Sequence, residues 1–71
     1  MEAKFAQMIE NNFTYHAPRD GDPEKYVLIR EKAKELALLL GNLCPDSRER
    51  STALTQLETC VFWANASIAR S

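Results

Sequence analysis

Ser47-Arg48-Glu49-Arg50-Ser51-Thr52-Ala53-Leu54, running on to Trp63-Ala64-Asn65-Ala66-Ser67-Ile68-Ala69-Arg70, is the stretch that decides the fold. At 100° per residue it reads as a helix with two sides that need covering. One side carries Ala53, Leu54, Leu57, Cys60, Val61, Ala64 and Ile68 and suits packing on another helix of the same chain. The other carries Ser51, Thr52, Thr55, Thr59, Phe62, Trp63 and Ala66. Small hydroxyls and alanines beside two large aromatics fit a solvated surface poorly. They suit close helix approach between subunits, or a pocket formed there. A chain of 71 residues cannot hide both sides alone, because small domains bury only a modest fraction of their surface. A helical homo-oligomer joined through Phe62, Trp63 and Ala66 is expected.

Working outward, this helix is expected to start at Asp46, with Glu49 three positions on as in a capping box. Asn42 to Pro45 makes a short connection. Before it, Tyr26, Ile29, Ala33, Leu36, Ala37 and Leu40 form one apolar stripe, which predicts a helix from Pro23 to about Leu40. Asp22 ahead of Pro23 and Glu24 reads as its N-cap, and Gly41 as a left-handed stop. Leu28 and Leu39 fall almost opposite the stripe, so this helix too is greasy on more than one face. Asn11 to Pro23 holds the breaker cluster Pro18, Asp20-Gly21-Asp22 and Pro23. A short helix from Glu2 to Glu10 precedes it, with Phe5, Met8 and Ile9 on one side. The fold class expected is all-α, a single domain over 1–71. An N-terminal helix and loop occupy 1–22, and an antiparallel hairpin is built from 23–41 and 46–70.

The formal net charge is −1. That argues against a DNA or RNA polymer as partner and against polybasic membrane binding, so any anion must be gripped locally. No apolar run approaches the roughly 20 residues of a membrane span, and Met1-Glu2-Ala3-Lys4 leads into no signal-peptide core. A cytoplasmic location is expected. The glycosylation patterns Asn12-Phe13-Thr14 and Asn65-Ala66-Ser67 then read as chance. Cys44 and Cys60 are too few for a disulfide scaffold or a metal knuckle, and read as reduced, small apolar residues. No metal and no cofactor is implied.

Phe13-Thr14-Tyr15-His16-Ala17-Pro18-Arg19 gathers aromatic faces, an imidazole and a guanidinium in a loop stiffened by proline. Such a set can stack on a base and hydrogen-bond its edge or a phosphate. Alternatively, Phe13 and Tyr15 simply dock the first helix on the hairpin. His16 is the only histidine and has no nucleophile or metal partner in sight, so it reads as a hydrogen-bonding residue and the chain as no enzyme. Arg30 and Lys34, one helical turn apart beside Tyr26, can clamp phosphate oxygens. They can equally form salt bridges with Glu31, Glu35 or a neighbouring subunit. Arg48, Ser51, Thr52 and Thr55 share a side near the start of the last helix, where backbone amides and the helix dipole favour anions. Repeated around a symmetry axis they would make a small phosphate-binding ring.

At these residues the chain resembles the phage-encoded anti-CBASS and anti-Thoeris sponge family, built on a shared helical-hairpin domain. The resemblance rests on Phe13-Thr14-Tyr15-His16-Ala17-Pro18, Ile29-Arg30-Glu31-Lys32-Ala33-Lys34-Glu35-Leu36-Ala37, Cys44-Pro45-Asp46-Ser47-Arg48-Glu49 and Trp63-Ala64-Asn65-Ala66-Ser67-Ile68-Ala69-Arg70. It implies a small all-helical protein assembling into compact oligomers, hexamers in the better-described members. Such proteins bind cyclic nucleotide messengers of bacterial immunity without cleaving them, in the cytoplasm of the infected host. Some members hold cyclic dinucleotides in one pocket and cyclic trinucleotides in another; others hold cyclic ADP-ribose isomers. By the resemblance, Tyr15 stacks on a base and Arg30 assists; His16, Pro18 and Lys34, read from the residues themselves, complete the candidate set. The family's usual residue at the second position is lysine, so Arg30 keeps the charge but changes its reach. Arg48, Ser51 and Thr55 match a second pocket at a symmetry axis. Two other readings stay open: a helical module docking a host protein through the Phe62 and Trp63 face, and a small transcriptional regulator. The acidic balance and the lack of a basic recognition helix count against the regulator.

Overall fold

The computed structural model describes residues 1–71 as three helices without a strand: α1 (Ala3–Asn12), α2 (Asp22–Leu43) and α3 (Arg48–Arg70). Only α2 and α3 pack extensively on each other. Half-buried Tyr26, Ile29, Ala33, Ala37 and Leu40 of α2 meet half-buried Ala53, Leu57, Val61, Ala64 and Ile68 of α3. These are the two stripes that helical periodicity picks out, and the alanines let the backbones approach. Leu36, Leu54 and Cys60, at the stripe edges, remain exposed.

Both hairpin helices begin at a residue other than the one expected, and α2 also ends later. Before α2, the Asp22 amide donates to the Arg19 carbonyl at 3.0 Å, and Gly21 has φ 86° and ψ −12°. Those angles belong to the third position of a type II turn, which glycine occupies without strain. Gly21, not Asp22, is therefore the boundary residue. Asp22 is the first helical residue, and its carboxylate reaches back to the Arg19 amide at 3.0 Å.

At its far end α2 does not stop at Gly41 but continues to Leu43. Pro45 disfavours helical backbone at the residue before it, and Cys44 is extended, with φ −93° and ψ 134°. The Cys44 amide still donates to the Leu40 carbonyl at 2.9 Å. The Arg50 guanidinium donates to the carbonyls of Gly41 and Cys44, at 3.4 Å each. With a guanidinium covering the last carbonyls, no left-handed residue is required. Gly41→Ala is accordingly expected to stabilise the protein by about 0.5–1 kcal/mol, the usual helix-interior difference between the two residues. The added methyl meets nothing within 4 Å. Thermal melts monitored by circular dichroism check this; a loss of stability would show that the position abuts a neighbouring copy.

The start of α3 is capped by Ser47, whose Oγ accepts the Arg50 amide at 3.1 Å. The expected pairing of Asp46 with Glu49 is displaced by one residue. Asp46 lies outside the helix and accepts from the Arg50 guanidinium at 3.2 Å instead, while Arg50 holds the place a capping box gives to Glu or Gln.

What the hairpin lacks is an interior. Of the 71 residues only Asp22 is fully buried, and no apolar side chain is. The Cα radius of gyration is 16.1 Å, on a plate of 47 × 33 × 13 Å. A compact domain of this length would have a radius of about 11 Å. The accessible surface is 5994 Å², about 1,500 Å² more than the size scaling gives for a compact monomer of this mass. Phe5, Met8 and Ile9 of α1, Leu28, Leu38 and Leu39 of α2, and Phe62 and Trp63 of α3 all face outward.

Candidate functional site

Between α2 and α3 lies an open groove of about 220 Å³. Its floor is Ala33 and Ala37 from α2 with Leu54, Leu57 and Val61 from α3; its rim is Arg30, Lys34, Glu58 and Phe62. Arg30 and Lys34 fall together because a four-residue step nearly completes a helical turn. Neither is engaged in an ion pair: the bridge on this stretch joins Lys32 to Glu35 at 3.4 Å. The two cations are thus unspent at the mouth of an apolar slot. Periodicity placed Phe62 on the side turned away from α2, yet it borders this groove. Glu58 completes the rim and carries no signal of its own in the sequence.

The loop residues do not reach the groove. Arg30 stands about 12 Å along α2 from its first residue at the usual rise, and no residue of 13–19 lines the slot. Phe13 and Tyr15 are 86% and 84% exposed, so within one chain they do not dock α1 onto the hairpin. Thr14 Oγ1 donates to the Glu10 carbonyl. His16 is half-buried, with Nε2 2.8 Å from the Asn11 carbonyl, while Pro18 is exposed.

The Arg19 guanidinium, one of the loop groups that could meet a base or a phosphate, is committed within the chain. Its Nη1 donates to the Ser71 backbone oxygen at 2.7 Å and its Nη2 to the Ile68 carbonyl at 2.7 Å. It therefore closes the C-terminal end of α3, as Arg50 closes that of α2. Cations at such ends answer both the unpaired carbonyls and the negative pole of the helix.

Asp22 accepts from Arg19 through the backbone amide and through Nε at 3.4 Å, with Lys25 Nζ 3.6 Å from its other oxygen. The Arg19 amide above all, then the neighbouring cations, hold the Asp22 carboxyl below the usual carboxylate range, against the opposing effect of burial. A carboxyl with a lower value folded than unfolded contributes its stability above about pH 4 and loses it as pH falls through the folded value. Thermal midpoints are therefore expected to fall more steeply below about pH 4 in the wild type than in Asp22→Asn, which lacks this titration. Parallel slopes would remove Asp22 from the account.

Arg48, Ser51 and Thr55 follow one another along α3, all exposed. Arg48 lines a shallow hollow with Glu49, Thr52 and Ala53, whereas Ser51 lines another with Ala37, Leu40, Gly41, Arg50 and Leu54. Thr55 Oγ1 donates to the Ser51 carbonyl at 3.2 Å, leaving its lone pairs open. A single chain thus splits the three among separate surfaces. Phe62 and Trp63 are 69% and 67% exposed, and Ala66 beside them is half-buried. Both cysteines are free, no group of three or more His, Cys, Asp or Glu could hold a metal ion, and no helix is long and apolar enough to cross a membrane.

With the hairpin, its cationic groove and its aromatic loop in view, comparison with protein families is decisive. The family described as Acb2/Tad1, hairpin domain, matches residues 6–69, from inside α1 to the last turn of α3. The chain belongs to this family, the hairpin domain of the anti-CBASS and anti-Thoeris sponges, which are binding proteins rather than enzymes. Comparison with curated proteins and with solved structures found no match.

Proposed function

We propose that this chain is a phage anti-defence sponge. It binds and sequesters cyclic di- and trinucleotide immune messengers, with cyclic ADP-ribose isomers as a further ligand class, without cleaving them, so that the host effector stays idle. The observation that carries the reading is the pair Arg30 and Lys34, unpaired at the mouth of an apolar groove in a chain of the sponge family. Arg30 grips phosphate by its fork and Lys34 as a point charge, while Tyr15, with His16 and Pro18 around it, supplies the stacking surface. Because Tyr15 stays clear of the groove in its own chain, the pocket is completed between copies, in a homo-oligomer that family precedent makes a hexamer. Arg48, Ser51 and Thr55, brought together from several copies, form the second pocket.

Magnitudes allow it. Stacking contributes about 1–3 kcal/mol per base, and charge-assisted hydrogen bonds about 1.5–3 kcal/mol each. Submicromolar affinity needs at least about 8 kcal/mol, within reach of two stacked bases and two gripped phosphates. The test is calorimetry against a panel of cyclic dinucleotides, cyclic trinucleotides and cyclic ADP-ribose isomers, followed by recovery of the bound ligand from denatured protein. Intact ligand is expected. Linear product would make the protein an enzyme, and an unresponsive panel would end the reading.

A further inference from the structure

We propose that Arg19 is a positioning residue for the stacking loop: it fastens the segment bearing Tyr15 to the end of α3, so that the ring is presented at a fixed place relative to Arg30. This rests on the sponge reading above.

The loop has almost nothing else to hold it. Phe13 and Tyr15 are exposed, and α1 does not pack extensively on the hairpin. Every hydrogen bond from residues 1–19 to α3 and the residue after it converges on a single spot. Asn11 Nδ2 donates to the Arg70 carbonyl at 3.3 Å. Arg19 makes the other three, to the Ile68 carbonyl, the Ser71 backbone oxygen and Ser71 Oγ, each at 2.7 Å. Tyr15 hangs between these two moorings. Upstream of it stands Asn11, whose carbonyl lies 2.8 Å from His16 Nε2, and downstream stands Arg19.

The guanidinium is itself aimed. Asp22, the one buried side chain of the protein, takes both the Arg19 amide and Nε, leaving Nη1 and Nη2 to point at α3. The type II turn at Gly21 sets the spacing that lets one carboxylate do both. A planar fork can span three acceptors in this way; an ammonium on a flexible stem does not hold the same geometry. Fixing a loop in its bound position raises affinity by removing the ordering cost that binding would otherwise meet.

The structure supplies a matched control. Arg50 caps α2 at the opposite end of the hairpin by the same chemistry and touches no part of the loop. With cyclic GMP-AMP as probe, Arg19→Ala is expected to weaken binding about tenfold or more, through lost preorganisation. Arg50→Ala, matched for thermal destabilisation, should stay within about twofold of wild type, the scatter of independent sites. In a Tyr15→Ala background, Arg19→Ala should add less than about twofold, because the two losses are one. Equal losses in Arg19→Ala and Arg50→Ala, or full additivity with Tyr15→Ala, would overturn the proposal. Should the wild type bind no member of the messenger panel, the sponge reading fails separately. Backbone amide exchange of residues 13–18 then decides the positioning: faster in Arg19→Ala than in Arg50→Ala supports it, and equal rates refute it.

Discussion

Replacing Trp63 with glutamate is expected to reduce the particle from an assembly many times the mass of one 8.1 kDa chain to a monomer. Two-thirds of the indole is uncovered in a single chain. Burying that much of a tryptophan, about 150 Å², stabilises an interface by roughly 3–4 kcal/mol per copy. A carboxylate in its place forfeits this gain and adds the cost of an unpaired charge, several kcal/mol more. In a symmetric assembly the penalty recurs in every subunit. Light scattering on wild type and Trp63→Glu checks it, with far-UV circular dichroism alongside, since a lone plate with no interior should lose helicity as well. An unchanged mass would move the interface elsewhere. It would also leave the Phe62 and Trp63 face free for a foreign protein.

Nearly as large an effect is expected from reversing the charge at Arg30. Arg30→Glu removes charge-assisted hydrogen bonds worth about 1.5–3 kcal/mol and sets a carboxylate against phosphate oxygens. A loss of at least about a hundredfold in cyclic-dinucleotide affinity follows, at 1.4 kcal/mol per tenfold. Arg30→Lys separates charge from fork, because lysine keeps the first and loses the second. An intermediate loss would show that the planar geometry matters. Assembly mass measured alongside separates a lost contact with phosphate from a lost contact between copies, since Arg30 shares its groove with Phe62. Wild-type affinity in Arg30→Glu would remove this groove from the binding account.

The fold was legible because its signals are local. The stripes of α2 and α3 come from a 3.6-residue period, and the breakers around Gly21 and Pro45 part three helices unambiguously. The ends were less so. Gly41 carries the mark of a stop, but Pro45 and a guanidinium from the next helix set the boundary further on. Arg19 shows the same limit at the site. Its pairing with Asp22 is a short-range pattern open to reading, whereas its partners Ile68 and Ser71 lie at the far end of the chain and no periodicity points to them. Arg30 and Lys34 were visible as an i, i+4 pair. That Phe62 and Glu58 share their groove depends on how α3 is rotated against α2, which packing decides and sequence does not announce.

A body 13 Å deep is scarcely one helix thick, so every side chain of the hairpin but Asp22 lies within reach of solvent or of a neighbour. Under the assembly proposed above, folding and self-association become one equilibrium rather than two. Dilution alone should melt the protein, and captured messenger, by favouring the gathered state, should hold it together at lower dose.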